Sequence, residues 1–141
     1  MVDIITLDGA LTSVGAAEIT TLRDKLRGRV ILVDDADYDN ARRVWNGNVD
    51  RRPALIARCV DTTDVHHAVN FARSRGLLLA VRGGGHSAPG YGTNNGGVVI
   101  DLSPMKAISI NQTTRTARAE GGHRRSDPRR RPGLAHGQAR R

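Results

Sequence analysis

The chain has 141 residues, the length of one small domain, and is 38% hydrophobic with only four aromatic residues, Tyr38, Trp45, Phe71 and Tyr91, so its core must be built from Val, Ile, Leu and Ala. One cysteine excludes an internal disulfide framework, and no apolar run approaches the roughly 18 residues of a membrane-spanning helix. The formal net charge is +8, but +6 of it sits in residues 123–141, which leaves the body of the chain near neutral.

The first 17 residues carry Asp3 and Asp8 and have no basic leader running into an apolar stretch, so they do not read as a secretory signal; a soluble cytoplasmic protein is expected. Residues 1–29 are expected to form an N-terminal helical segment. Ser13 can cap a helix running to about Arg27, with Ile19, Leu22 and Leu26 on one face and Gly28 ending it in a left-handed conformation. Residues 30–33 read as a short buried strand, broken by Asp34 and Asp35 before a helical stretch over 37–45 that stops at Asn46-Gly47. Asp35 and Asp37 suit the positive end of that helix, and no metal is needed to explain them.

After Arg51-Arg52-Pro53, residues 54–60 read as a strand, with Cys59 as a small buried thiol. Asp61 offers a helix cap with an acid, Asp64, three residues on, and Val65, Ala68, Val69 and Ala72 recur at helical spacing until Gly76. His66 and His67 are neighbours pointing about 100° apart, so they cannot chelate one metal together. Residues 77–81 form the next strand, giving a β-α-β unit with a right-handed crossover and a parallel pair. Residues 98–102 are a further strand, and 107–110 with 114–120 read as a β-hairpin around Asn111-Gln112-Thr113.

Between the strands at 77–81 and 98–102 lies the one stretch that reads as chemistry, RGGGHSAPGYGTNNGG. Gly83, Gly84 and Gly85 lack a Cβ and allow successive backbone N–H groups to turn inward around an anion, and the loop springs from the carboxyl end of a strand, where ligands of such sheets sit. Residues 83–88 formally satisfy G-x-G-x-x-[GA], but Pro89 and Gly90 forbid the helix a dinucleotide fingerprint requires, and no acid follows at the right distance. The Gly-Lys-Ser/Thr of a mononucleotide P-loop is also missing. On residues alone, a phosphate cradle and a structural glycine-rich hairpin with an exposed His86 both stand.

The run RGGGHS, the glycine-rich turn after it and GGVVIDLSPMKAI resemble the flavin-binding core of the FAD-linked oxidases grouped with vanillyl-alcohol oxidase, nearest to the berberine-bridge-enzyme-like branch. The likeness runs from about residue 30 to 122 and includes Tyr38, Ala41, Arg42, Trp45 and Asn46 as the lead-in to the first flavin-domain strand. It implies an α+β fold, the N-terminal part of a PCMH-type FAD-binding domain: a small sheet containing a βαβ unit, flanked by helices and followed by further strands. It implies FAD as cofactor, held by Arg82, Gly83, Gly84, Gly85, His86 and Ser87 around the pyrophosphate, with Gly121 and Gly122 as the next flavin-contacting turn and a covalent bond from His86 to the 8α-methyl carbon. The chemistry implied is oxidase-type hydride transfer from a small alcohol, amine or sugar. In that family a separate cap domain holds the substrate and removes its proton; no stretch here corresponds to it, so no catalytic residue is assigned and the chain is expected to be a truncated, inactive part. The second flavin link of doubly attached members comes from a cysteine far downstream, so Cys59 is not a flavin ligand.

Residues 123–141, with seven arginines and a single large apolar side chain, Leu134, are expected to be disordered. Their Arg, Pro, Gly, Ala, His and Gln vocabulary matches a G+C-rich reading frame translated out of register. The alternative is a small basic module that binds nucleic acid or another polyanion through this tail, but it lacks any aromatic to stack on a base.

Overall fold

The structure is a computed structural model and describes residues 1–123. The expectations for the arginine-rich tail, including polyanion binding, fall on residues outside that range, apart from His123. The chain opens not with a helix but with a hairpin, β1 (Val2–Ile5) paired antiparallel with β2 (Leu11–Val14). Ser13 lies in β2 opposite Asp3 and donates from Oγ to its carboxylate, so it caps nothing. Helix α1 (Ala16–Lys25) starts instead at Gly15, whose N–H donates to the Glu18 carboxylate, and buries Ile19 and Leu22 as expected. It ends through an extended Leu26, with no left-handed residue.

Gly28 is needed for close packing, not for helix termination, because a Cβ there would stand 1.9 Å from the carbonyl oxygen of Arg58. That close approach lets the fully buried Asp64 accept from the N–H groups of Arg27 (2.8 Å), Gly28 (2.9 Å) and Val60 (3.0 Å). A buried carboxylate is tolerated when several N–H groups satisfy it. Asp64 therefore completes no capping box, although its own N–H donates to the Asp61 cap at 2.9 Å.

Strands β3 (Arg29–Leu32) and β4 (Leu55–Arg58) pair antiparallel, and between them runs the short helix α2 (Tyr38–Arg42). Helix α3 (Thr62–Ser74) follows, then β5 (Leu79–Arg82) and β6 (Val98–Asp101). The sheet order is β3-β4-β6-β5. β4 and β5 are parallel, as the β-α-β reading expects, but they are not neighbours: β6 lies between them, parallel to both. Burial explains the insertion. Val98, Val99 and Ile100 are fully buried on both faces of the sheet, which suits only a central strand, whereas Val81 of β5 is exposed at the edge.

The buried side of α3 is Asp64, Ala68, Phe71 and Ala72, flanked by a half-buried Val65; Val69 lies at the exposed margin. The apolar stripe is thus rotated from the sequence expectation, because Phe71 offers more surface to bury than Val69. Gly76 ends this helix with φ +59°, as anticipated. Ile4, Val14, Ile19 and Leu22 share one core with Leu55, Ala68, Leu77, Val98 and Ile100, while Ile31, Tyr38, Ala41, Ile56 and Val99 form a second cluster. Each fully buried Leu or Ile contributes about 1.5–3 kcal/mol. β7 (Ile108–Asn111) and β8 (Thr116–Ala119) make the expected hairpin. Helices and small sheets together give the α+β class. No helix among the described residues is long and apolar enough to cross a membrane.

Candidate functional site

Three strand ends lie level in the sheet, with Arg58 and Arg82 both in register with Asp101 on the strand between them. Asp101 is fully buried and takes Arg82 Nη2 at 2.9 Å and Arg58 Nε at 3.2 Å. Burial pushes its carboxyl pKa up, but the hydrogen bond and charge of Arg82, with the Ser103 N–H, outweigh burial and hold the pKa below the usual value. Arg82 also donates to the carbonyls of Ala41 (2.6 Å) and Arg43 (3.2 Å). The residue stands at the base of the glycine loop, but its guanidinium is engaged beneath that loop by protein groups. Those bonds also explain why α2 stops at Arg42 instead of reaching Trp45: the chain turns extended at Arg43, and the last carbonyls find their donors on Arg82.

Above this anchor, Gly83 faces Gly121 so closely that a Cβ would lie 2.2 Å from the Gly121 carbonyl oxygen. Gly121 is therefore brought against the loop, whereas Gly122 packs on Leu102 and Met105 and its N–H donates to Met105 O at 2.8 Å. Gly85 has φ +71°. The backbone N–H groups of Gly83, Gly84, Gly85, His86 and Ser87 donate to no other described residue, which leaves five consecutive donors for a ligand. Residues 82–87, with Tyr91, Gly92 and His123, line a cleft of about 570 Å³.

His86 is exposed at this cleft, and its ring centroid lies 5.8 Å from that of Trp45, the planes tilted by 45°. The Trp45 N–H donates to Gly85 O at 3.0 Å and Asn46 Nδ2 to Ala88 O at 2.9 Å, so the segment leaving α2 is stitched to the loop on either side of His86. Ser87 Oγ accepts from Tyr91 N at 3.1 Å. Arg51 clamps the far part of the loop through the carbonyls of Gly90 and Thr93. Trp45 and Asn46, which the sequence marks only as part of a lead-in, thus belong to the site, and Tyr91 joins it without any sequence signal beyond its place among the glycines.

The remaining candidates lie elsewhere. Cys59 is fully buried, and burial, then the charges of Asp64 and Asp101, push its thiol up to about 12. Asp37 pairs with Arg58 and Asp35 accepts from Leu32 N at 2.8 Å. His66 contacts Asn70 on the exposed side of α3.

These features fit the pyrophosphate of FAD: a glycine loop with five unengaged backbone N–H donors and an exposed imidazole, in residues that line one cleft. Residues 53–127, more than half of the chain, match the family model described as FAD binding domain. The chain is 43% identical over 97 residues to (R)-6-hydroxynicotine oxidase of Paenarthrobacter nicotinovorans, covering 69% of this chain and 21% of that protein. The crystal structure of 6-hydroxy-D-nicotine oxidase from Arthrobacter nicotinovorans superposes with a TM-score of 0.65 at 43% identity, over 70% of this chain and 22% of the other. Physcomitrella patens BBE-like 1 superposes with a TM-score of 0.62 at 27% identity, again over 70% and 22%. The chain thus spans about a fifth of the length of the relatives it matches. By its matched domain, its relatives and its glycine-loop cradle, the chain belongs to the FAD-binding-domain family of the FAD-linked oxidoreductases of the vanillyl-alcohol oxidase type, and its cofactor is FAD.

Proposed function

We propose that residues 30–122 hold FAD for an oxidase-type oxidoreductase acting on a small alcohol, amine or sugar, and that an imidazole nitrogen of His86 is bonded to the 8α-methyl carbon of the flavin. The observation that carries this reading is the run of five unengaged N–H groups from Gly83 to Ser87, with His86 within it, all on one cleft. The backbone donors hold the pyrophosphate without a side chain, as anion-binding loops do, and the Gly121 turn packs against Gly83 beside them. When bound, FAD supplies the two-electron chemistry, accepting hydride and returning electrons to an acceptor. The protein's share is binding, orientation and electrostatics. Arg82 supports the loop from beneath, and no residue of this stretch is assigned to substrate proton transfer.

Titration of the purified chain with FAD, followed by displacement with ADP, tests the cradle. ADP should compete, because it carries the same pyrophosphate that the loop would hold. FAD binding that ADP cannot displace, or that survives Gly83→Val unchanged, would contradict the reading.

A further inference from the structure

We propose that Trp45 is a positioning residue for His86: it restrains the imidazole on the cleft and so sets the rate at which the flavin is attached. The inference rests on the covalent reading above and concerns the same site. The residue touches none of the reacting atoms; it acts through His86. Two bonds bracket that residue, Trp45 N–H to Gly85 O at 3.0 Å and Asn46 Nδ2 to Ala88 O at 2.9 Å, so the backbone on both sides of the histidine is tied to residues 45 and 46. The Trp45 ring then stands 5.8 Å from the imidazole, within the range of a tilted aromatic contact.

No described residue hydrogen-bonds the His86 ring, which is exposed apart from the Trp45 contact. An exposed side chain with no partner divides its time among several staggered rotamers. A wall on one side removes some of them and raises the share of time spent facing the cleft. The backbone that carries this wall is held in place, because Arg82 binds the carbonyls of Ala41 and Arg43 just before Trp45, while the indole itself is 69% exposed and has the His86 ring as its neighbour. Attachment joins an imidazole nitrogen to the 8α carbon and removes one hydrogen from each; these two hydrogens and their electrons reduce dioxygen to hydrogen peroxide. Restricting the imidazole speeds the bond-forming encounter and leaves the backbone cradle unchanged.

The test compares the 141-residue wild-type chain with Trp45→Ala and Trp45→Phe, following the gain of one FAD less two hydrogens in mass against time at saturating FAD and, separately, the affinity for FAD before attachment. Trp45→Ala should slow attachment roughly three- to tenfold with affinity altered by less than about twofold, and Trp45→Phe should restore most of the rate. In the FAD-free chain, the His86 ring-proton resonances should move when the indole ring current is lost. A Trp45→Ala chain that gains FAD at the wild-type rate, or slows only in proportion to weakened affinity, overturns the inference while leaving the covalent reading intact. A wild-type chain that binds FAD but never gains its mass overturns the covalent reading itself, and the inference with it.

Discussion

Arg82 and Asp101 end two neighbouring parallel strands at the same register level, and their side chains meet at 2.9 Å with only 5% and 0% of the residue surface exposed. Removing one member of such a buried pair leaves an uncompensated charge. Arg82→Met should therefore destabilise the chain by about 3–5 kcal/mol in urea unfolding, softened to the extent that Arg58 still faces Asp101. Arg82→Lys should recover part of this but not all, because an ammonium cannot serve the carboxylate and the carbonyls of Ala41 and Arg43 in one planar fork.

The same pair dictates an acid limb. The Asp101 pKa in the folded chain lies below the ordinary 3.8, so its ionisation favours the folded state fully above about pH 3.8, and that contribution is lost as pH falls through the folded value. Asp101→Asn should be the less stable protein near neutrality, and its deficit against wild type should shrink as the medium is acidified below about pH 3.8. Parallel unfolding midpoints from neutral to strongly acid pH would check this; a constant deficit would mean Asp101 is not the titrating group.

Two glycine substitutions separate close approach from simple chain freedom. Gly28→Ala places a Cβ 1.9 Å from Arg58 O and disturbs the N–H groups that satisfy Asp64, so a loss of at least about 2 kcal/mol is expected. Gly47→Ala meets nothing within 4 Å and should stay within about 0.5 kcal/mol of wild type. Equal losses at the two positions in thermal unfolding would contradict the packing described.

The Cys59 thiol, raised to about 12 by burial, should resist alkylation in the folded chain at neutral pH and react at ordinary rates once urea unfolds it. Because its folded pKa exceeds the ordinary 9.0, stability should also fall as pH rises above about 9, where only the unfolded thiol ionises. Rapid modification without unfolding would show that the thiol is reachable.

Much of the fold is legible in the sequence because burial and local chemistry agree. Asp61 and Gly76 mark the ends of α3, and the apolar run at 98–100 marks a strand. The opening hairpin is hidden, although Asp8-Gly9 between 2–5 and 11–14 is a hairpin turn signal; the helical spacing of Ile19, Leu22 and Leu26 draws the expected helix start back over β2. The insertion of β6 between β4 and β5 cannot be read locally, since strand order depends on which strand buries both faces. At the site, the glycines and His86 are visible as a motif. The engagement of Arg82 beneath the loop and the bracketing of His86 by Trp45 and Asn46 are contacts between segments about 40 residues apart, which no spacing rule reveals.

In the function proposed, the glycine loop carries FAD and His86 is bonded to it. The most direct measurement is protease digestion of the FAD-loaded chain followed by mass spectrometry of the flavin-bearing peptide, in wild type and His86→Ala. Tryptic digestion should place one FAD on the peptide of residues 83–106, localised to His86 by fragmentation, and no covalent flavin should form in His86→Ala, which should still bind FAD reversibly through the backbone of the loop. Flavin attached to any other residue, or attachment that persists in His86→Ala, would contradict it.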